Sequence, residues 1–297
     1  MGTNLRPVDR LMTPFRSRHL QTPAGNMSAE DGVEQGQALD LTLSPLDAAR
    51  PGSIAAKARA RMETASWETL FLADWTEATF LHFEVDGKLL QHIVPFAIDR
   101  YEGRSFVTLV AFTMKRLRCR YGGRYTEWLT YPIASHRFLN LRTYVRGRDG
   151  AGIFFMHEWL DNRLAVRMGP FTFGLHYRHA SLEYLRSETA VRGEIRSPEA
   201  SGAFFGRFSG TTSLAEPDGL DAFFLERYTA YTAAGRRPMF FRVWHHPWQF
   251  RALEIDALEI VNFLGELRQD WVKSMRFVSA VHSEGVEDVW MGRPHAA

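Results

Sequence analysis

The sequence predicts an α+β fold that is mainly antiparallel β, a barrel or layered sheet with a few flanking helices. Three observations predict it. Many short segments alternate apolar and polar residues with the two-residue period of a strand, as in "FLNLRTYVR". Turn residues such as Glu102-Gly103 and the run "GRDGAG" separate these segments. Only a few stretches have helical spacing, so helices flank strands instead of dominating. The size is sufficient: 297 residues, 45% hydrophobic and 13% aromatic, can bury one large core or two small ones.

The elements follow in order. From Met1 to about Met62 the only aromatic residue is Phe15, and Pro, Gly, Ser, Ala and Arg dominate. Residues 1–65 are therefore expected to form a disordered extension, with a short helix near Ile54 to Met62, and residues 66–297 a single packed domain. The basic run Phe15 to His19 has some character of an organelle transit sequence, but an ordinary tail is the favoured reading. "WETLFLADWTEATFLHFEV" reads as strand, "GKLLQHIVP" as a short helix closed by Pro95, and "FAIDRYEGRSFVTLVAFTMKRL" as two strands around a turn. Arg137 to Arg146 and Gly152 to Glu158 make a hairpin across "GRDGAG". Asn162 to Met168 suits a helix that ends before Gly169-Pro170, and "VRGEIRSP" with "GAFFGRFSGTTSL" another antiparallel pair. "DGLDAFFLERYTAYTAAG" has Leu220, Phe223, Phe224, Tyr228 and Tyr231 at helical spacing, with Asp218 as cap and Gly235 as stop. Short strands and an apolar segment, Ala257 to Leu267, complete the chain.

Several function classes are disfavoured. The 36 Lys plus Arg nearly balance 34 Asp plus Glu and are scattered, unlike a nucleic-acid footprint. Cys119 is alone, so neither a disulfide nor a cysteine zinc site is expected, and a reducing cytoplasm is the natural setting. No apolar run approaches the roughly 20 residues of a membrane span. There is no internal repeat, P-loop, dinucleotide fingerprint or Gly-x-Ser-x-Gly elbow. No cofactor or metal is implied.

Candidate site residues are few. In "FLNLRTYVR", Leu139, Leu141, Thr143 and Val145 share one face, while Phe138, Asn140, Arg142, Tyr144 and Arg146 share the other, which either meets water or lines a chamber. "FRVWHHPWQF" sets Arg242, Trp244 and His246 opposite Phe241, Val243 and His245, so the two histidines cannot grip one metal from a regular strand. A structural His at a strand end is favoured there. "FFMHEWLDNR" offers His157, Glu158 and Asp161 as acid or base, or as rim and cap. "FGLHYRHASLEY" clusters His176, Tyr177, Arg178 and His179 in a segment that reads as a site wall or as a solvated loop. Lys115 lies at the polar end of its strand, and a surface position is favoured over a Schiff-base role.

Over roughly Trp67 to Trp290 the chain resembles the bacterial YqjF-like family of unknown function, in the acetoacetate decarboxylase-like superfamily. The resemblance rests on "VPFAIDRYEGRSFVTLVAFTMKRLR", "FLNLRTYVRGRDGAGIFFMHEWLDNRLAVRMGPFTFGLHYRHASLEY", "FFLERYTAYTAAGRRP" and "HHPWQF" in that order. It implies an acetoacetate decarboxylase-like β-barrel or cone with flanking helices and an internal cavity. The superfamily's namesake decarboxylates a β-keto acid through a lysine Schiff base within a Gly, aromatic, Pro, Lys, Lys segment. The equivalent place here is "GLHYRHA", where Tyr177 and Arg178 stand for the two lysines, so that chemistry is expected to be absent. Relatives commonly have Pro at the position of His176.

Two functions are carried forward. One is a module enclosing a small, carboxylate-bearing organic ligand, with Arg142 as anion clamp and Asn140, Tyr144, Arg178, Arg242 and His246 as further ligand contacts. The other is a lyase or hydrolase acting on a small keto acid or carbonyl compound, with Tyr177, His179 or Glu158 moving a proton. The expected partner is a small molecule, not nucleic acid or a membrane, with a homo-oligomer left open.

Overall fold

A computed structural model describes residues 52–65, 67–122, 126, 128, 130–175, 177–234 and 237–297, all within the unit Leu43–Ala297. Residues 1–51, which make up most of the expected extension, and the expected stop Gly235 lie outside the described residues.

Helix α1 (Ile54–Glu63) is capped by the Ser53 side chain. Strand β1 (Thr69–Val85) runs into α2 (Gly87–Gln91), where Asp86 accepts from the amides of Lys88 and Leu89. Then come β2 (Ala97–Ile98), β3 (Ser105–Cys119), β4 (His136–Gly147), β5 (Gly150–Leu160) and α3 (Arg163–Thr172). Strands β6 (Tyr177–His179), β7 (Ser181–Arg186), β8 (Ala190–Arg196) and β9 (Ser201–Leu214) precede α4 (Leu220–Leu225). The chain ends with β10 (Thr229–Ala234), β11 (Arg237–Trp244), β12 (Gln249–Leu258), α5 (Ile260–Leu264), β13 (Arg276–Gly292) and β14 (His295–Ala296).

The fold is mostly sheet with few helices. Pairings run β11-β10-β5-β4-β3-β1-β13, and β13 pairs back to β11 through Val243↔Met291 and Trp244↔Trp290. From β13 the sheet continues through β12, β9, β8 and β7. The pairs are antiparallel except β5 with β10 and with β6. The hairpin expected across "GRDGAG" is β4–β5, paired from Phe138↔Leu160 to Gly147↔Gly150 with one register shift after Leu141.

Both faces of β4 are covered. Leu139, Leu141 and Val145 pack with Leu81, Trp159, Phe204 and Phe263 in one apolar cluster. Phe138 and Tyr144, on the opposite face, join Phe80, Phe106, Phe224 and Phe241 in a second. The face of β4 whose exposure was open in the sequence therefore turns inward from Phe138 to Tyr144, while Arg146 at its end is exposed and binds Asp99.

Three expectations are corrected. The helix expected from Asp218 to Gly235 stops at Leu225, and Thr229–Ala234 is a strand between β5 and β11. Asp218 does not cap it: Asp218 has φ 61°, and Gly219 holds the cap position. Helix α3 continues through Gly169-Pro170 to Thr172, and its first turn is capped by Asn162, whose Oδ1 accepts from Leu164 and Ala165, while Asp161 binds Arg137. Helix α1, counted with the extension, instead packs on β11: Ala55 and Met62 are buried with Tyr228 and Trp244, and Trp244 Nε1 donates to the Ala55 carbonyl at 3.1 Å. Among the described residues no helix is long and apolar enough to cross a membrane.

Candidate functional site

Within the second apolar cluster is a cavity of about 280 Å³. Its walls are largely aromatic and aliphatic, with polar groups from Asn140, Arg142, Glu158, Tyr177, Arg227 and His245. A mostly apolar chamber with a few converging polar groups is the usual form of a small-molecule site.

Strand pairing assembles the polar wall. Asn140 of β4 is level with Glu158 of β5, and Glu158 with Tyr177 of β6, so the three form a row across adjacent strands. A register shift between Leu141↔His157 and Arg142↔Phe155 leaves Met156 extra in β5. This bulge lets Phe155 and Glu158, three positions apart, both face the chamber. The intervening His157 lies nearer Trp159, at 5.8 Å between ring centroids.

Each polar group has an environment that sets its charge. Burial raises the carboxyl of Glu158 to about 8, leaving most of it neutral near pH 7, and its Oε2 has no hydrogen-bond partner. Tyr177 is pushed well above its ordinary value, first by burial and then by Glu158, and so remains a phenol. Arg142 Nη2 donates to the Phe224 carbonyl at 3.0 Å, and its guanidinium lies 5.5 Å from the Phe80 ring centre. Burial lowers its pKa. Among the described residues Arg142 has no carboxylate partner, and its Nε is unpaired. Arg227, by contrast, is held by Asp99 at 2.9 Å. Burial brings His245 and His136 down to about 4, so both are neutral. Among the described residues no group of three His, Cys, Asp or Glu is arranged to hold a metal.

The structure brings together Asn140, Arg142, Glu158 and Tyr177 and leaves the other candidates outside. Tyr144 does not line the chamber: it is fully buried on the same face as Arg142, its hydroxyl 2.6 Å from Thr108 Oγ1 and 3.4 Å from the Phe224 carbonyl that also holds Arg142. Arg178 is exposed, 3.8 Å from Glu266, because it is level with Trp159 and thus out of phase with Tyr177. His179 does not line the chamber. Arg242 binds Asp149 at 2.8 Å and Glu68 at 3.3 Å on the other face of β11. His246 sits against Trp244 on that same side, and His245 lines the chamber with Phe241 and Val243. Lys115 is exposed, and His176 lies outside the described residues. Sequence reasoning missed Arg227 and His245. The apolar company of Phe241 and Val243 was a signal for His245; Arg227 was hidden in the overextended helix.

The profile of DUF2071, described as "Uncharacterized conserved protein", matches residues 72–281. The chain is 29% identical over 187 residues to the uncharacterized protein YqjF of Bacillus subtilis (strain 168), covering 61% of this chain and 75% of that one. Among solved structures it is similar to acetoacetate decarboxylase from Legionella pneumophila, with TM-score 0.51, 13% identity and coverage of 77% and 88% of the two chains. The enduracididine biosynthesis enzyme MppR, complexed with the condensation product of pyruvate and imidazole 4-carboxaldehyde, gives TM-score 0.54, 11% identity and coverage of 90% and 98%. At these identities the likeness is one of fold.

Proposed function

The chain belongs to the DUF2071 family, and from that premise and the chamber's chemistry we propose that it encloses a small organic acid with an apolar body, its carboxylate held by Arg142. The observation that carries this reading is the guanidinium of Arg142, which lines an apolar chamber without a carboxylate partner among the described residues. An enclosed cation lacking a counter-ion is costly, and an anionic ligand supplies the missing charge in a bidentate geometry. The ring of strand pairings is read as a barrel around this chamber. A fold neighbour, MppR, is described in complex with pyruvate, itself a small carboxylate.

The ligand is bound without Schiff-base decarboxylation. An imine requires a primary amine, and the four lysines, Lys57, Lys88, Lys115 and Lys273, are not among the lining residues. A second reading is favoured by the neutral Glu158 carboxyl beside Asn140 and Tyr177: a lyase or hydrolase in which Glu158 gives a proton to a carbonyl oxygen. Loss of turnover in Tyr177→Phe with affinity intact would select this enzyme reading.

The test is a thermal-shift screen of the full chain with keto, fatty and aromatic acids, beside their primary amides. An acid at about a hundred times its dissociation constant adds roughly 2.7 kcal/mol, a rise of about 5 to 10 °C for a domain of this size. Arg142→Met is expected to weaken acids roughly 10- to 100-fold and leave the amides unchanged. If no acid shifts the parent, or the variant responds equally, Arg142 is structural and the reading fails.

A further inference from the structure

The exposed apolar residues are unevenly distributed. Fourteen large ones are exposed among the described residues, and six of them, Trp67, Tyr121, Trp128, Tyr131, Leu164 and Met168, follow one another around a single end of the sheet. They include every exposed Trp and Tyr described. The connections can be traced. Phe71↔Cys119 sets the start of β1 beside the end of β3, and the rings of Trp67 and Tyr121 meet there at 4.2 Å. Thr126 Oγ1 donates to the Tyr121 carbonyl, Leu117 donates to the Ala134 carbonyl just past Tyr131, and Asn162 Nδ2 donates to the Pro132 carbonyl at 2.8 Å. That last bond ties the Tyr131 segment to the start of α3.

Helix α3 has two characters. Its Ala165 and Met168 line the chamber, whereas Arg163, Leu164, Arg167 and Met168 are exposed, two cations and two apolar side chains each one turn apart. Tyr131 is 81% and Trp128 70% exposed. Arg163 and Arg167 have no carboxylate partner among the described residues, nor has the exposed Arg120, whose guanidinium lies 5.3 Å from the Trp290 ring centre; of the acids at this end Asp161 is bound by Arg137, Asp288 by Arg118, and Glu287 is exposed at 3.9 Å from Arg116. Trp and Tyr favour the headgroup layer of a bilayer, unpaired arginines favour anionic lipid, and the two together distinguish a lipid surface from an ordinary wet one.

We propose that this end of the protein docks on an anionic membrane surface, with Trp67, Tyr131, Leu164 and Met168 entering the headgroup boundary and Arg120, Arg163 and Arg167 facing lipid phosphates. The lack of a spanning helix among the described residues concerns crossing and says nothing of such a surface contact. Leu117, Ile133 and Met168 line the chamber at this same end, so a docked chamber lies next to the phase into which an apolar acid partitions.

The test is flotation of the full chain with vesicles of phosphatidylcholine alone and with about one-third phosphatidylserine. Flotation with the anionic vesicles only, reversed by salt, is expected. Arg163→Gln with Arg167→Gln should weaken it about thirty-fold, at about 1 kcal/mol per cation, and Tyr131→Ser with Leu164→Ser should abolish it. The variants must keep the parent's melting curve; one that does not is replaced by its single substitutions. The vesicles contain no added acid, so failure here is distinct from failure of the Arg142 reading. Absence of flotation on either vesicle, flotation equal in parent and both double variants, or self-association abolished by Leu164→Ser without flotation would each overturn the proposal.

Discussion

Glu158 links the site to the stability of the whole chain. A carboxyl whose folded pKa is raised takes up protons on folding, so its protonated form stabilises the fold at low pH, and that stability is lost as pH rises from about 4.5 to about 8. The loss amounts to at most about 5 kcal/mol. The enclosed histidines act in the opposite sense: His245 and His136 bind protons more readily when unfolded, so stability falls as pH drops from 6.5 toward 4. Melting temperature is therefore expected to peak near pH 6.5, and Glu158→Gln to remove most of the alkaline decline while keeping the acid one. A parent and variant with the same slope above pH 6.5 would show that Glu158 ionises normally. That Asn140, Arg142 and Glu158 share a wall was legible in part, because β4 and β5 alternate clearly; Tyr177 stood out only through the run of titratable groups in "FGLHYRHASLEY", which reads equally as a wall or a solvated loop. Arg242 and His246 were misplaced for a different reason: alternation separates two faces but does not say which one is inward, and the face carrying Arg242 is occupied by Asp149, Glu68 and α1.

At the scale of elements, the errors occur where a local pattern has two physical readings. Thr229, Ala230, Tyr231 and Thr232 are all nearly inaccessible, with 4%, 1%, 0% and 1% exposure. A strand buried on both faces shows no alternation, and Tyr228 just before it and Tyr231 within it happened to continue the spacing of Phe223 and Phe224. The β-branched and aromatic content favoured a strand once β5 and β11 lay on either side. The β5 bulge was equally hidden, since one extra residue in a ladder has no signature in a single sequence. Helix α1 was legible as a helix but not as a docked one, because Met62 and Ala55 find their apolar partners Tyr228 and Trp244 about 170 residues later. Its docking carries a prediction. Deleting residues 1–63 removes the burial of Met62 and Ala55, uncovers the Trp244 ring and frees Asp149 from Arg61. The cost should be about 3 kcal/mol, or roughly 5 to 10 °C in melting temperature. Acid affinity should be unchanged, because Trp244 and Val243 point to opposite sides of β11 and only Val243 lines the chamber. An unchanged melting temperature would mean that α1 is not docked in solution.

For the whole molecule, the sheet separates two apolar layers. One holds Trp159, Phe204 and Phe263; the other holds the chamber. The mostly antiparallel character and its few helices could be read from period and turns. The return of β13 to both β1 and β11 could not, because those pairings join residues far apart in the chain, such as Thr69 and Gly292. That arrangement determines which side chains share an enclosed space, and hence which chemistry is accessible. In this chain the shared space includes a guanidinium, a neutral carboxyl, an amide and a phenol, and its lining has no amine. Lys115, the lysine nearest in sequence to lining residues, is exposed beyond Met114 at the outer part of β3. On the proposed reading, a keto acid bound at Arg142 is expected to meet no group able to form an imine with its carbonyl. Incubation with pyruvate and cyanoborohydride, read by intact mass, is expected to leave the chain unmodified under conditions where the Arg142-dependent thermal shift is present. A single stoichiometric adduct mapping to one lysine would show that an amine reaches the ligand, and the non-covalent reading would give way to Schiff-base chemistry.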